Sequence, residues 1–118
     1  MAQPPRAIDL NDVPSIIGGY LKAHQARDID VAMTSYAPDA TVTDEGRTYR
    51  GVDAIRGWLS RSASEFTYTV EMIGATMVDE NHYDVVHHLE GNFPGGVVDL
   101  HFRFELRDGK IGQLVIEP

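Results

Sequence analysis

DIDVAMTSYAPDATVTD, which runs from Asp28 to Asp44, is the segment around which the predicted structure is arranged. Asp28 is a typical N-cap, and the apolar residues after it predict a short helix that carries Tyr36 inward and ends at Pro38. A β-rich run then leads from Thr41 to Asp44. A helix, a turn and a strand ending on a carboxylate are typical of a small α+β domain that directs the carboxylate into a pocket.

The segment before this run predicts one more helix. Asp12 is expected to cap it, and the apolar side chains around and after Pro14 recur at helical spacing with Tyr20 on the buried face. Residues 1–11 show no such pattern. They are predicted to form a flexible leader before a single domain of residues 12–118.

The segment after the run predicts a hairpin, a third helix and a long antiparallel meander. Arg47 to Arg50 is the return strand of the hairpin, and the helix that follows carries Trp58 inward. From Phe66 onward the pattern changes to alternation, with a bulge expected at Gly74. The predicted order is α-α-β-β-α-β-β-β-β. Three helices of the N-terminal half would cover a curved antiparallel or mixed sheet and leave a conical pocket.

Composition excludes several classes of function. The chain has 18 Asp and Glu against 10 Lys and Arg and contains no cysteine. Nucleic acid is not an expected partner, because binding to phosphates requires clustered basic residues. The five histidines show no spacing that predicts a metal site. No stretch approaches the roughly 18 apolar residues of a membrane span, so a cytoplasmic protein with no membrane partner and no cofactor is expected.

Three side chains are the candidates for chemistry. Asp44 is a candidate general base, since a partly desolvated carboxylate can take a proton next to a carbonyl group. Tyr20, hydrogen-bonded to Tyr36, is a candidate donor to a developing oxyanion. His87 lies by alternation on the apolar face of its strand, where burial lowers its pKa and keeps it neutral. The alternatives are a turn aspartate, two core tyrosines and a satisfied core histidine.

The remaining inward side chains are expected to form the walls of the pocket. Because they are apolar or aromatic, they predict an apolar or aromatic ligand. The predicted substrate-binding residues are Tyr36, Trp58, Tyr83, Val85, Leu100, Phe102, Leu114 and Ile116. The outward face of the sheet, with Asp99, His101 and Arg103, would suit a homodimer.

These motifs resemble the nuclear transport factor 2-like superfamily, in its ketosteroid isomerase and SnoaL-like branch. The resemblance covers roughly residues 12–117 and rests on the inward Tyr20, the run from Asp28 to Asp44, GVDAIRGW at the third helix and HFRF at His101 to Phe104. It implies a cone-shaped, cystatin-like roll and a homodimer that contacts through its sheet. It also implies activity of the isomerase or polyketide cyclase type.

The resemblance also assigns roles to individual residues. Ketosteroid isomerase uses an aspartate base with a tyrosine and a protonated aspartic acid as oxyanion donors. Asp44 matches the base and Tyr20 matches the tyrosine. Leu100 occupies the position of the second acid. The nearest carboxylate, Asp99, points to the opposite face unless a bulge shifts the strand by one residue.

Three functional hypotheses follow from these residues. The first is an enzyme that transfers a proton on an apolar or aromatic carbonyl substrate, with Asp44 as the base and Tyr20, helped by His87, holding the enolate oxygen. The second is a hydro-lyase or epoxide-opening enzyme, in which Asp44 or His87 handles water. The third is a non-catalytic binder of an apolar small molecule or an oligomerisation module.

Overall fold

Three α-helices cover one face of a curved sheet in the computed structural model, which describes residues 4–65 and 68–118. The elements in chain order are β1 (Arg6–Ile8), a 3-10 helix (Leu10–Asp12), α1 (Ser15–Gln25), α2 (Ile29–Met33), β2 (Tyr36–Asp44), β3 (Arg47–Arg50), α3 (Val52–Glu65), β4 (Tyr68–Asp79), β5 (His82–Gly91), β6 (Val97–Arg107) and β7 (Lys110–Glu117). The predicted α+β class and the order of its helices and strands are confirmed, with β1 and the 3-10 helix added at the start.

The seven strands form one mixed sheet in the order β1-β4-β5-β6-β7-β2-β3. Neighbouring strands are antiparallel except β2 and β7, which are parallel. The pairing of β4 with β5 shifts register between Met72 and Gly74, which confirms the predicted bulge. This shift bends the long β4. Phe66 and Thr67, predicted as the first residues of this strand, lie outside the described residues.

The predicted flexible leader is wrong for the residues nearest the domain. Arg6, Ala7 and Ile8 form β1, which pairs antiparallel with Met77, Thr76 and Ala75 of β4. Three residues are too few to show periodicity in a sequence, so only the pairing with β4 reveals the strand. Ile8 is half-buried and packs against the core, which fixes this segment at the sheet edge.

The start of α1 also differs from the prediction. Asp12 was expected to cap this helix, but it ends the preceding 3-10 helix, and α1 begins at Ser15 after Pro14. Asp9 caps the 3-10 helix, where its Oδ1 accepts a hydrogen bond of 2.9 Å from the backbone N–H of Asn11, and no side chain caps α1. Proline fixes its own φ and lacks an N–H, so it suits the position just before the first helical turn.

Helix α2 is shorter than predicted, and Tyr36 belongs to the strand that follows it. Asp28 caps α2 as expected, through a 3.3 Å hydrogen bond from the N–H of Val31. The helix then ends at Met33 and β2 begins at Tyr36, which pairs with Ile111 of β7. A proline disfavours helical geometry in the residue before it, and pairing with β7 satisfies this backbone instead. Tyr36 is still directed into the core.

Two tight turns join the strands that flank the candidate site. Glu45 and Gly46 link β2 to β3 with φ values of 53° and 74°, and Asp108 and Gly109 link β6 to β7 with 53° and 76°. Positive φ at both central residues is the type I′ geometry, which matches the twist of a hairpin. The first of these turns follows Asp44 directly and sets the position of its carboxylate.

The core lies between the helices and the concave face of the sheet. Its largest fully buried side chains are Tyr20, Phe104, Ile17, Leu21, Ile55, Ile111, Leu114, His87, Val42 and Val85. None of the helices in residues 4–65 and 68–118 is long and apolar enough to cross a membrane.

Candidate functional site

Two buried tyrosines form the best-defined polar contact in the core. Tyr36 donates its hydroxyl hydrogen to the hydroxyl oxygen of Tyr20 over 2.5 Å, which confirms the predicted pair. The two rings lie 5.1 Å apart in an edge-to-face arrangement. Because Tyr36 supplies the proton of this bond, Tyr20 keeps its own proton to donate elsewhere.

Both phenols are protonated in the folded protein. Burial raises the pKa of Tyr20 well above its ordinary value, the hydrogen bond from Tyr36 opposes this rise, and the negative charge of Asp44 adds to it. Burial, followed by the effects of Tyr20, raises the pKa of Tyr36. A neutral phenol in a site of low dielectric is suited to stabilise an anion that forms beside it.

Asp44 lies at the end of β2, as predicted, and is half-buried. Trp58 of α3 donates its indole Nε1–H to Oδ2 of Asp44 over 3.0 Å. A hydrogen bond of this kind stabilises the carboxylate and fixes its orientation. The sequence assigned Trp58 only to the wall of the pocket, although a buried indole N–H usually finds a partner.

His87 of β5 is buried, as predicted, with only 2% of its surface exposed. Its ring centroid lies 4.2 Å from that of Phe102. Burial lowers the pKa of His87 to about 4, the charge of His24 lowers it further, and the nearby backbone of Val85 slightly opposes the fall. Nδ1 nevertheless has no hydrogen-bond partner by distance and angle among the described residues.

His24 is a candidate that the sequence analysis did not single out. It lies one helical turn after Tyr20, and its ring is 5.8 Å from Tyr20, 6.2 Å from Trp58 and 6.2 Å from Phe102 between centroids. Burial lowers the pKa of His24 to about 4. The signal was its spacing of four residues from Tyr20, which places both side chains on one helical face.

Tyr68 of β4 is a second candidate missed from the sequence. It is half-buried, and burial raises its pKa, Arg27 lowers it and Asp44 raises it. Its hydroxyl is therefore within electrostatic reach of a cation and of the candidate base. Alternation in the sequence placed Tyr68 on one face of its strand, but nothing in the sequence brought that strand close to Asp44.

Leu100 lies directly opposite His87 in the pairing of β5 with β6. No register shift occurs in that pairing, so Asp99 stays on the opposite face of the sheet. There its Oδ1 lies 2.6 Å from Nδ1 of His88. The alternative in which a bulge turns Asp99 inward is therefore wrong.

The other predicted wall residues are also inward. Tyr83, Val85, Phe102, Leu114 and Ile116 are buried, and Leu100 is half-buried. Their contact with a ligand stays a prediction. Within the described parts of the chain, no group of three His, Asp or Glu side chains is placed to hold a metal ion.

A small cleft opens between the helices and β4. His24, Arg27, Leu59 and Tyr68 contribute to its lining, and its cavity volume is about 10 Å³, which is close to the space that one water requires. Neither Tyr20 nor Asp44 belongs to this lining. A ligand that reaches the tyrosine pair through this cleft must therefore displace side chains at its mouth.

A family model described as the SnoaL-like domain matches residues 17–113. The chain belongs to the SnoaL-like domain family. The predicted placement in the nuclear transport factor 2-like superfamily is confirmed. A search of curated proteins finds no match.

Solved structures resemble this SnoaL-like protein over most of their length. A proposed polyketide cyclase from Sinorhizobium meliloti is 34% identical with a TM-score of 0.86, covering 93% of this chain and 100% of its own. Delta 5-3-ketosteroid isomerase from a Mycobacterium species is 18% identical with a TM-score of 0.72, covering 88% and 90%. A hypothetical protein with a ketosteroid isomerase-like fold from Catenulispora acidiphila, solved in complex with trimethylamine, is 20% identical with a TM-score of 0.76, covering 89% of this chain and 85% of its own.

Proposed function

We propose that this SnoaL-like protein is an enzyme that transfers a proton next to the carbonyl group of an apolar or aromatic small molecule. The observation that carries the proposal is the 2.5 Å hydrogen bond from Tyr36 to Tyr20, in a core where the charge of Asp44 acts on Tyr20. An oriented carboxylate and a neutral phenol donor are the two groups that enolisation requires.

The roles follow from the hydrogen bonds. Asp44, oriented by the indole of Trp58, takes a proton from the carbon beside the carbonyl group. Tyr20 donates a hydrogen bond from its hydroxyl group to the carbonyl oxygen as that oxygen becomes an enolate, and Tyr36 supports Tyr20 by donating a hydrogen bond to it. Return of the proton to another carbon is an isomerisation, whereas attack by the enolate on a second carbonyl carbon is a cyclisation.

The comparisons support the class of reaction. The Sinorhizobium relative is a proposed polyketide cyclase, and its identity of 34% extends over nearly the whole chain. The Mycobacterium ketosteroid isomerase shares the fold. Leu100 in place of the second acid distinguishes this site from that of ketosteroid isomerase, since Tyr20 must then stabilise the oxyanion without a second carboxylic acid.

Exchange of hydrogen for deuterium on a model ketone tests the proposal without knowledge of the natural substrate. We expect the protein in D₂O to accelerate exchange at the carbon beside the carbonyl group of 1-tetralone, followed by proton NMR. Tyr20→Phe should reduce that acceleration by about 10²–10³-fold, the usual effect of losing an oxyanion donor. Asp99→Asn, on the outer face, is the matched control and should leave it unchanged. No acceleration by the wild type would contradict the proposal.

A second candidate function is the binding of an apolar small molecule without catalysis. Tyr20 has no exposed surface, and the cleft beside His24 has room for about one water. A carrier that closes over its ligand would show these features. Binding of 1-tetralone with no exchange above the solvent rate would favour this function. The predicted homodimer through the outer face of the sheet stays a prediction.

A further inference from the structure

Two imidazoles approach one aromatic ring from different elements of the fold. His87, on β5, has its ring centroid 4.2 Å from that of Phe102. His24, on α1, lies 6.2 Å from the same ring in a nearly perpendicular arrangement. The two histidines are also close enough for the charge of His24 to affect His87. Phe102 thus brings together two polar groups inside an otherwise apolar wall.

His87 has a hydrogen-bonding atom that the described residues leave unused. By distance and angle its buried Nδ1 has no partner among them, although the backbone of Val85 lies close enough to the ring to affect its pKa, and the residue is only 2% exposed. Its cross-strand neighbours Leu100 and Met72 and its ring neighbour Phe102 have no nitrogen or oxygen in their side chains. Buried polar atoms in folded proteins are almost always paired with protein, water or ligand. Among the described residues nothing fills this role, and a polar group of a bound ligand would supply the missing partner.

The protonation state of the two imidazole rings determines which chemical group of a ligand can bind between them. Burial lowers the pKa of both His24 and His87 to about 4, so both are neutral near pH 7. A neutral imidazole has one N–H donor and one acceptor nitrogen. It offers a carboxylate or phosphate no opposite charge, whereas a hydroxyl group can both accept from it and donate to it.

We propose that His24 and His87 form a second polar subsite beside Phe102, which holds a hydroxyl group of the ligand away from the carbonyl group at Tyr20. This inference rests on the proposed function of the same pocket, and it narrows the substrate class. The substrate is a cyclic or aromatic ketone that carries a second oxygen as a hydroxyl group. Phe102 contacts the apolar ring between the two polar ends.

Paired ligands that differ by one hydroxyl group test this subsite. The probes are 1-tetralone and its monohydroxylated derivatives, and calorimetry gives each dissociation constant. We expect the wild type to bind the best hydroxylated derivative about tenfold more tightly than 1-tetralone, the size of one net hydrogen bond. His87→Leu and His24→Leu should each reduce this preference while still binding 1-tetralone. His88→Leu, on the outer face of the same strand, is the matched control and should keep the preference.

A second readout separates the subsite from a loss of folding. In the wild type, the nitrogen NMR signal of His87 Nδ1 should shift when the hydroxylated derivative binds and stay constant with 1-tetralone. His87→Gln, which keeps a polar side chain, should recover part of the preference lost in His87→Leu. Equal affinity of the wild type for all probes, or an unchanged preference in both leucine variants, would overturn the subsite.

The outcome for the subsite is independent of the outcome for catalysis. A hydroxyl preference without deuterium exchange would leave the subsite in place and reject the proton-transfer function. Deuterium exchange without any preference for hydroxylated ligands would support the proton-transfer function and reject the subsite.

Discussion

The indole Nε1 of Trp58 lies 3.0 Å from Oδ2 of Asp44 and donates a hydrogen bond to it. This contact joins α3 to the end of β2 and gives the candidate base a fixed orientation. Trp58 therefore contributes in two ways. The residue is only 3% exposed and packs in the core, and its N–H orients the carboxylate of Asp44.

Replacing Trp58 with Phe should lower the exchange rate with little loss of packing. The phenyl ring keeps much of the buried area, but Asp44 loses the donor that orients it. We expect a loss of roughly tenfold in the rate of deuterium exchange, the size of one net hydrogen bond. Tyr49→Phe, whose ring centroid is 6.3 Å from that of Trp58, is the matched aromatic control. Equal rates for wild type and Trp58→Phe would show that the contact has no role in the chemistry.

Stability should fall between about pH 6.5 and pH 4 because of His24 and His87. The pKa of each is about 4 in the folded state, below its ordinary value of 6.5. In this window the unfolded chain binds protons that the folded chain does not, so the free energy of unfolding decreases as pH falls. The expected loss is on the order of 1–3 kcal/mol for each histidine. Urea unfolding at several pH values measures it.

Variants separate this effect from other titrating groups. His24→Gln and His87→Gln should each flatten the pH dependence in that window. His88 acts in the opposite sense, because the hydrogen bond with Asp99 raises its pKa and its contribution is lost only as pH rises through that raised value. The hydrogen bond with His82 lowers the pKa of Asp79. The contribution of Asp79 to stability is therefore lost only as the pH falls below about 3.8. An unchanged slope in both glutamine variants would contradict the assignment.

Leu100→Asp should change the protonation of His87. The new carboxylate would lie opposite His87 in the pairing of β5 with β6, where it can accept a hydrogen bond from the imidazolium. We expect the pKa of His87 to rise clearly above about 4, measured by NMR titration. Asp99→Asn, on the opposite face, should leave the pKa of His87 unchanged and lower that of His88. A constant His87 pKa in Leu100→Asp would show that the two side chains do not share a face.

Glu45→Asn should stabilise the hairpin that follows Asp44. Glu45 has a φ of 53°, a left-handed conformation that asparagine adopts more readily than glutamate. The expected gain in the free energy of unfolding is smaller than the roughly 1–2 kcal/mol that the left-handed conformation costs an ordinary residue. Asp108→Asn, at the equivalent position of the β6–β7 turn with the same φ of 53°, is the control and should change stability less, since aspartate already tolerates this conformation. Thermal unfolding compares the two.

The sequence predicted those features that depend on local patterns. Alternation placed Tyr83, Val85 and His87 on the buried face of β5, and Gly74 marked the bulge in β4. Helical periodicity directed Tyr20 and Tyr36 inward and so predicted their hydrogen bond, although Tyr36 proved to lie on a strand. Helical and extended geometry both direct this side chain inward. The hydrogen bond was therefore predicted correctly, although Tyr36 had been assigned to a helix.

Features that depend on distant parts of the chain were not predictable in the same way. β1 forms because Arg6, Ala7 and Ile8 find an open edge on β4, about seventy residues later. The bond between Trp58 and Asp44 depends on how α3 lies across the sheet. Tyr68 and His24 were missed for the same reason. The sequence predicted the strand or helix that carries each of them, but not the elements that pack against it.

The measurement that tests the proton-transfer account most directly is the rate of deuterium exchange on 1-tetralone by Asp44→Asn. Asparagine keeps the shape of the side chain but cannot take a proton at this position. We expect the rate to fall by at least about 10²–10⁴-fold relative to the wild type, while the dissociation constant of 1-tetralone changes little. A wild-type rate in Asp44→Asn would contradict the account.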